Sequence, residues 1–250
     1  MSLPVFFHPD LLASGSVPPQ VGDVVELSGD EGRHAVAVRR VRVGEQVALT
    51  DGAGTTATCT VTATTSATLS ATVAAVATVE AEMPRVVVVQ AIPKGDRGEL
   101  AVEMLTEVGV DVVVPWAAAR SVSVWRGDKQ AKALARWRST ARESAKQARR
   151  SWFPEVADLV TTDQVVDLLR NASVPVVLHE GASGPLADLP VPGRGEIVIV
   201  VGPEGGISDE ELAAFASVGA EPVRMGSSVL RTSTAGVAAT AALLARTRWR

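Results

Sequence analysis

The sequence predicts an α/β protein with a mainly parallel sheet after residue 83 and a smaller β-rich region before it. Short, mostly apolar runs recur in the second region, as is typical of strands buried on both faces. Helical segments separate several of these runs, and strand–helix alternation indicates a parallel sheet. The apolar runs lie at 86–92, 110–116, 174–180, 196–202 and 220–226.

The predicted helices carry recognisable end signals. The segment 99–108 is followed by Gly109, a suitable residue to end a helix. Ser208 and Glu211 have the spacing of a capping box, which predicts a helix start there. The remaining helices are predicted at 128–150, 162–171, 209–218 and 232–248.

The first region reads as a small β domain. Strands are predicted at 24–28 and 45–52, and Asp51-Gly52 is a hairpin-turn signal. The Thr- and Val-rich stretch 55–79 nearly alternates, which favours strands of an antiparallel sheet over disorder. A short helix is expected around His34. A proline at Glu82-Met83-Pro84 interrupts the pattern, so we predict domains at 1–82 and 83–250.

Composition is that of an ordinary globular protein. Among 250 residues, 46% are hydrophobic and 21% charged. No apolar run is long enough to span a membrane, and the first residues lack the pattern of a signal peptide, so we expect a cytoplasmic protein without membrane contact. Cys59 is the single cysteine, and the three histidines show no metal-ligand spacing; no disulfide and no metal site are expected.

Positive charge is concentrated in one segment. The chain carries a net charge of −4, yet residues 120–150 hold ten Lys or Arg against Asp128 and Glu143. A concentrated basic segment in an acidic protein suits a polyanionic partner, although a solvated helix face explains the charge equally well.

The basic helix has two stripes. Its apolar stripe comprises Leu134, Trp137, Ala141, Ala145, Ala148 and Trp152, and we expect its tryptophans to pack in the core. A separate basic stripe comprises Arg138, Arg142, Lys146 and Arg149.

Three glycine-containing loops follow predicted strands. In open α/β sheets, ligands bind beyond the carboxyl ends of the strands, and glycine lets the backbone approach a ligand closely. Each loop alone is better explained as a tight turn, but three in one half-domain favour a ligand site. The loops lie at 178–181, 202–206 and 225–231.

Several common nucleotide and catalytic motifs are missing from the sequence. There is no phosphate-binding G-x-x-x-x-G-K-[ST], and the turn after the first strand of the second region reads IPKGDRGEL instead of G-x-G-x-x-G. No serine lies in a G-x-S-x-G elbow. Cys59 lies in a Thr-rich strand, which indicates a small core residue and not a nucleophile.

Four segments resemble the RsmE family of bacterial 16S rRNA (uracil-N3)-methyltransferases, in the SPOUT superfamily. They read KGDRGELAVEMLTEVGVDVVVPWAAARS (94–121), ARWRSTARESAKQARRSWFPEV (135–156), VGPEGGISDEEL (201–212) and MGSSVLRTSTAG (225–236). In addition, RHAVAVRRVRVGEQVALTDG (33–52) looks like the family's PUA-like RNA-binding β-barrel domain. The family often has Gln-Lys where this chain has Glu103-Met104, and Glu where it has Ser233, so we assign no essential role to these positions.

The resemblance implies a SPOUT domain with a deep C-terminal trefoil knot, S-adenosylmethionine as cofactor, a homodimer, and 16S rRNA as partner, within the small ribosomal subunit. The implied reaction is methylation of N3 of a uridine. The implied cofactor contacts are Leu178, His179, Glu180, Val201, Gly202, Pro203, Gly205, Gly206, Met225, Gly226, Ser228, Val229 and Leu230. We expect Gly205 to leave backbone space for the cofactor.

Two residues are candidates for the chemistry. Arg231 is the candidate for stabilising the developing uridine anion, with a phosphate contact or an ion pair as the alternative. Glu204 is a candidate proton acceptor or contact for the cofactor's ammonium group. His179 is expected to line the cofactor pocket, with a buried structural histidine nearly as plausible. Contacts to RNA are expected from His34, Arg39, Arg40, Arg42, Lys94, Arg97, Arg120, Arg138, Arg142, Lys146 and Arg149.

Two other functions remain open from the sequence. One is methylation of another RNA, such as a tRNA ribose; the PUA-like first domain argues against it. The other is RNA binding without catalysis, which the retained glycines of all three loops disfavour.

Overall fold

The computed structural model describes residues 3–11 and 17–250, and the chain divides into two compact units. The first combines Met1–Ala81 with Ala145–Phe153, and the second combines Glu82–Ser144 with Pro154–Arg250. The units are therefore not two consecutive segments, because a short stretch after residue 144 packs with the N-terminal region.

The first unit contains a five-stranded half-barrel sheet in the order β1-β3-β4-β5-β2. Only the β1–β3 pair is parallel; the other pairs are antiparallel. Helix α1 continues directly into a π-helical turn, His34–Val38, where a short helix was predicted. The elements are β1 (Val5–Phe7), β2 (Val24–Leu27), α1 (Gly29–Arg33), β3 (Gln46–Thr50), β4 (Thr55–Thr64) and β5 (Leu69–Thr78).

Alternation in the Thr- and Val-rich strands places one side of the sheet in the core. Ala57, Cys59 and Val61 of β4 are buried, whereas the threonines between them are partly exposed. The segment 145–153 is hydrogen-bonded to the chain just after β5, where Trp152 Nε1 donates to the Val79 carbonyl at 2.8 Å. The expectation that the tryptophans of this stripe pack in the core is confirmed for Trp137, which is 1% exposed, and is wrong for Trp152, which lies at the surface and is 37% exposed.

The second unit is built on a seven-stranded, fully parallel sheet with the order β10-β12-β9-β11-β6-β7-β8. The α/β class with a parallel sheet is confirmed. Its strands are β6 (Arg85–Ala91), β7 (Val112–Trp116), β8 (Glu155–Val156), β9 (Val174–Leu178), β10 (Gly184–Pro185), β11 (Glu196–Val201) and β12 (Pro222–Arg224). Its helices are α2 (Arg97–Val108), α3 (Asp128–Gln147), α4 (Thr162–Asn171), α5 (Asp209–Ala216) and α6 (Thr232–Leu244).

Both faces of the parallel sheet are covered, which explains the continuous apolar runs. Successive strand residues alternate between two hydrophobic cores, with Val86 and Val88 in one and Val87 and Val89 in the other. Helices α2 and α6 cover the first face, and α4 and α5 cover the second. As predicted, Gly109 ends α2 with φ +104°.

Helix α6 ends four residues before the predicted end. The chain turns back after Leu244, and the Arg248 side chain, 3% exposed, donates to the carbonyl of Gly109 at 3.1 Å and pairs with Asp111. These contacts hold the C-terminal segment against the turn between α2 and β7. Among the described residues, no helix is long and apolar enough to cross a membrane, and no group of potential metal ligands is found there.

Candidate functional site

A cleft of about 510 Å³ lies at the carboxyl ends of β9, β11 and β6 in the second unit. The predicted strand-end loops meet here, as expected for an open parallel sheet. The cleft is lined by Lys94, Arg97, Leu178, His179, Glu180, Val201, Gly202, Pro203, Glu204, Gly206, Ile207, Val229, Leu230, Arg231, Thr232 and Ala235.

A smaller pocket of about 100 Å³ shares several of these residues. It is lined by residues 178–180 and 223–230 together with Ala235. Three of the four predicted cofactor contacts that do not line the larger cleft, Met225, Gly226 and Ser228, line this pocket. The third loop thus lines both cavities, with Val229 and Leu230 common to the two.

The glycines of the 202–206 loop act in different ways. A Cβ on Gly202 would lie 2.7 Å from Ile207 Cγ1, so glycine lets the chain turn tightly after β11. Gly206 lines the cleft and has φ +76°, a conformation that favours glycine. Gly205 does not line the cleft. A Cβ there would lie 2.8 Å from the Arg120 carbonyl oxygen, so glycine at this position lets two loops approach closely; its contact with the cofactor stays a prediction.

Glu204 links two walls of the cleft. Its Oε1 accepts a hydrogen bond from the backbone N–H of Lys94 at 3.2 Å. This contact ties the loop after β11 to the 93–98 loop after β6. Glu204 therefore has a positioning role in addition to the proton-accepting role considered from sequence.

The start of α6 is joined to the same loop. Thr232 Oγ1 donates to the Gly202 carbonyl at 3.1 Å. Arg231 is the N-cap residue of α6, and its side chain is exposed at the cleft. The helix N-terminus adds partial positive charge beside this cation.

Glu211 connects three chain segments near the cleft through hydrogen bonds, a role that the sequence did not predict. Its side chain is 4% exposed and accepts from the backbone N–H of Ala119 at 2.8 Å and of Ser208 at 2.9 Å. It also accepts from Thr162 Oγ1 at 3.2 Å. The predicted capping box accounts for the Ser208 contact only. The contact with Ala119 spans 92 residues and has no local signal.

His179 has a defined tautomer when neutral. Its Nδ1 accepts from the Gly181 backbone N–H at 3.1 Å, which leaves the ring proton on Nε2. The ring lines the cleft and is partly exposed, so the pocket-lining interpretation fits better than a buried histidine.

Cations outnumber carboxylates around the cleft. Lys94, Arg97 and Arg231 face the same space as Glu180 and Glu204. Such a site can stabilise a developing negative charge on a bound substrate, because cations near a partly enclosed cavity interact more strongly than in bulk water.

The predicted RNA contacts fall into several environments. Lys94 and Arg97 line the cleft, and Arg120 reaches the Ile207 carbonyl at 3.4 Å. Arg138 donates to the Val156 carbonyl and to Asp158, with half of its side chain exposed. In the first unit, His34 is partly buried against Phe6. The exposed side chains are Arg39, Arg40, Arg42, Arg142 and Arg149.

Lys146 requires a correction. Its side chain is 5% exposed, and its Nζ lies 2.7 Å from Glu31 Oε1, within the first unit. A lysine in this environment is an internal ion-pair partner, and we do not retain it as an RNA contact. Helix α3 ends at Gln147, and its residues from Ala145 onward, Lys146 among them, belong to the first unit.

Two family patterns match the chain. The RNA methyltransferase domain pattern matches residues 80–244. The pattern of the RNA methyltransferase PUA domain matches residues 27–73, within the half-barrel sheet region.

Curated relatives align over most of the chain. The ribosomal RNA small subunit methyltransferase E of Mycobacterium bovis is 43% identical over 92% of this chain and 90% of its own length. The Bacillus subtilis protein of the same name is 29% identical over 87% of this chain and 88% of its own length.

Solved structures with similar folds contain the cofactor. A Legionella pneumophila methyltransferase in complex with S-adenosylmethionine superposes with a TM-score of 0.88 at 28% identity, covering 99% of both chains. The Neisseria gonorrhoeae ribosomal RNA small subunit methyltransferase E, bound to S-adenosylmethionine, gives 0.86 at 28% identity, covering 98% of both chains. The chain belongs to the ribosomal RNA small subunit methyltransferase E family of RNA methyltransferases.

Proposed function

We propose that this protein transfers the methyl group of S-adenosylmethionine to N3 of a uridine in the 16S rRNA of the small ribosomal subunit. The observation that carries the proposal is the cleft where three glycine-containing loops meet beside Lys94, Arg97 and Arg231. Two relatives with this fold hold S-adenosylmethionine, and the curated relatives are named for methylation of small-subunit rRNA.

The cleft residues fit the cofactor's chemistry. Backbone groups around Gly202 and Gly206 suit the polar edges of adenine and ribose, and Leu178 and Val229 offer apolar contact. Glu180 and Glu204 supply negative charge for an ammonium group. When bound, S-adenosylmethionine supplies a methyl group on a positively charged sulfur, which needs no metal for activation.

The remaining task of the chain is to orient the uracil and stabilise its anion. The N3–H proton leaves as the N3–methyl bond forms and the sulfur–methyl bond breaks. Arg231, exposed at the α6 N-terminus, is the residue we assign to the developing negative charge. Glu204 is the candidate acceptor for the proton, and the hydrogen bond from the Lys94 backbone N–H to its Oε1 holds the carboxylate at the cleft.

The target base must be unpaired or flipped out, since N3 lies on the edge that pairing covers. The RNA backbone is held by exposed basic side chains. These are Arg39, Arg40 and Arg42 of the first unit and Arg138 and Arg142 of the second, and the partly exposed Arg97 joins them. We further propose that the chain forms a homodimer and that its C-terminal segment passes through a trefoil knot.

Methyl transfer to purified small subunits lacking this modification tests the proposal. The protein and labelled S-adenosylmethionine are incubated with the subunits, and the rRNA nucleosides are separated and identified by mass. We expect 3-methyluridine at one methyl per subunit, and a loss of at least tenfold in rate for Arg231→Ala. Label in a ribose, or labelled tRNA in a parallel reaction, would favour another RNA substrate. No label in any RNA would contradict the proposal.

A further inference from the structure

A second cavity, of about 410 Å³, lies next to the cleft in the second unit. Its size falls in the roughly 300–1,000 Å³ range of small-molecule sites. One wall is the 93–98 loop, and another is the first half of α3 with the preceding segment 123–125. None of the residues assigned to the cofactor or to the transferred methyl group lines it.

The two cavities are separated by a single stretch of chain. Lys94 and Arg97 line the cleft, whereas Gly95, Asp96 and Gly98 line the second cavity. The segment 93–98 therefore contributes residues to both cavities, so the second cavity lies beside the cleft. Two neighbouring cavities suit adjacent bases of an unstacked RNA.

Aromatic rings form the floor of this second cavity. Trp125 is partly exposed and packs edge-to-face on Trp137, with ring centroids 5.0 Å apart. Trp137 is 1% exposed and is fixed against Gly98, where a Cβ would lie 2.8 Å from its Nε1. The buried Trp137 thus holds the Trp125 indole in place. A fixed, partly exposed indole is a suitable surface on which a nucleobase can stack.

Positive charge lines the rim of the second cavity. Lys129, Lys132 and Arg136 lie on one face of α3 at spacings of three and four residues. Arg136 pairs with Glu99 at 3.2 Å. Lys129 and Lys132 are exposed, and neither makes an ion pair with any residue between 3 and 11 or between 17 and 250. Two unpaired lysines beside an aromatic surface match a nucleotide, which has a flat base and an anionic phosphate.

We propose that this second cavity binds the nucleotide adjacent to the methylated uridine, with its base stacked on Trp125 and its phosphate held by Lys129 and Lys132. The inference rests on the proposed function, since it places a neighbour of the target base. It assigns these side chains to substrate positioning, separate from cofactor binding.

Equilibrium binding and steady-state kinetics with unmethylated small subunits test this assignment. The variants are Trp125→Ala, Trp125→Phe and Lys129→Gln/Lys132→Gln. The charge-matched control, Arg170→Gln/Arg194→Gln, removes two exposed arginines that line neither cavity. S-adenosylmethionine affinity, measured by calorimetry, reports whether the 93–98 loop is intact.

We expect Trp125→Ala and the double lysine variant each to weaken subunit binding and raise the KM for subunits about tenfold. Trp125→Phe should restore most of the loss, because it retains a ring for stacking. Cofactor affinity and the control variant should stay within twofold of the wild type. The lysine variant should also show a shallower dependence of affinity on salt.

Three results would overturn the assignment. The first is unchanged subunit affinity in both Trp125→Ala and the lysine variant. The second is an equal loss in the charge-matched control, which would indicate general electrostatic attraction only. The third is a parallel loss of cofactor affinity, which would indicate collapse of the shared wall. If the wild type binds subunits but transfers no methyl group, binding still decides this assignment while the proposed reaction fails.

Discussion

At the scale of single residues, burial determines the behaviour of the one cysteine. Cys59 is fully buried among the apolar side chains of the half-barrel, and burial raises the pKa of its thiol to about 11. The pKa is raised, so the thiol stays protonated until the pH approaches 11, and roughly one thiol in a thousand is ionised at pH 8. We expect a thiol-specific reagent to leave the folded protein unmodified at pH 8 and to react fully in denaturant. Rapid labelling of the folded protein would contradict this.

Gly205 gives a second prediction at this scale. In Gly205→Ala the new Cβ meets the Arg120 carbonyl, so one loop must shift, at a cost of about 2 kcal/mol for overpacking. We expect a lower melting temperature together with weaker S-adenosylmethionine binding, measured by thermal unfolding and calorimetry. Gly193→Ala is the control, since a Cβ there meets nothing within 4 Å. Equal melting temperatures and equal S-adenosylmethionine affinities in the two variants would contradict the loop-contact role of Gly205.

At the scale of elements, the sequence predicted what is local and missed what is distant. The Gly109 helix end and the Ser208 capping box depend on neighbours in sequence, and these predictions are confirmed, whereas β9 and β12 each end two residues before the predicted position. The burial of Lys146 depends on Glu31, 115 residues away, and the role of Glu211 depends on Ala119, 92 residues away. Helical spacing shows which residues share a face, but it does not show what packs against that face.

The end of α3 carries a prediction that separates stability from RNA binding. Lys146→Ala leaves the Glu31 carboxylate without its lysine partner, which we expect to cost about 3 kcal/mol of unfolding free energy. Denaturant unfolding measures this loss, and the exposed neighbour Gln147→Ala serves as the control. RNA affinity per folded molecule should be unchanged in both. A stable Lys146→Ala protein with weakened RNA binding would return Lys146 to the RNA-contacting surface.

At the scale of the whole molecule, the alternation of strands and helices determines both the buried core and the position of the loops around the cleft. The parallel strands bury both faces, so their carboxyl ends remain as the place where glycine loops and charged side chains can meet. The position of the cleft could therefore be predicted from the sequence. The identity of the ligand could not, because backbone groups and glycines suit several ligands; it follows from the family resemblance. No local feature of the sequence predicted that residues 145–153 belong to the first unit.

The central claim is that the cleft binds S-adenosylmethionine. Calorimetric titration of the purified protein with S-adenosylmethionine tests this claim most directly, because the roles assigned to the three loops and the proposed reaction both require that binding. We predict saturable binding with one site per chain, weakened in Gly205→Ala and unchanged in Gly193→Ala. Absence of binding to a protein shown to be folded would contradict the assignment of the cleft and favour an RNA-binding protein without methyltransferase activity.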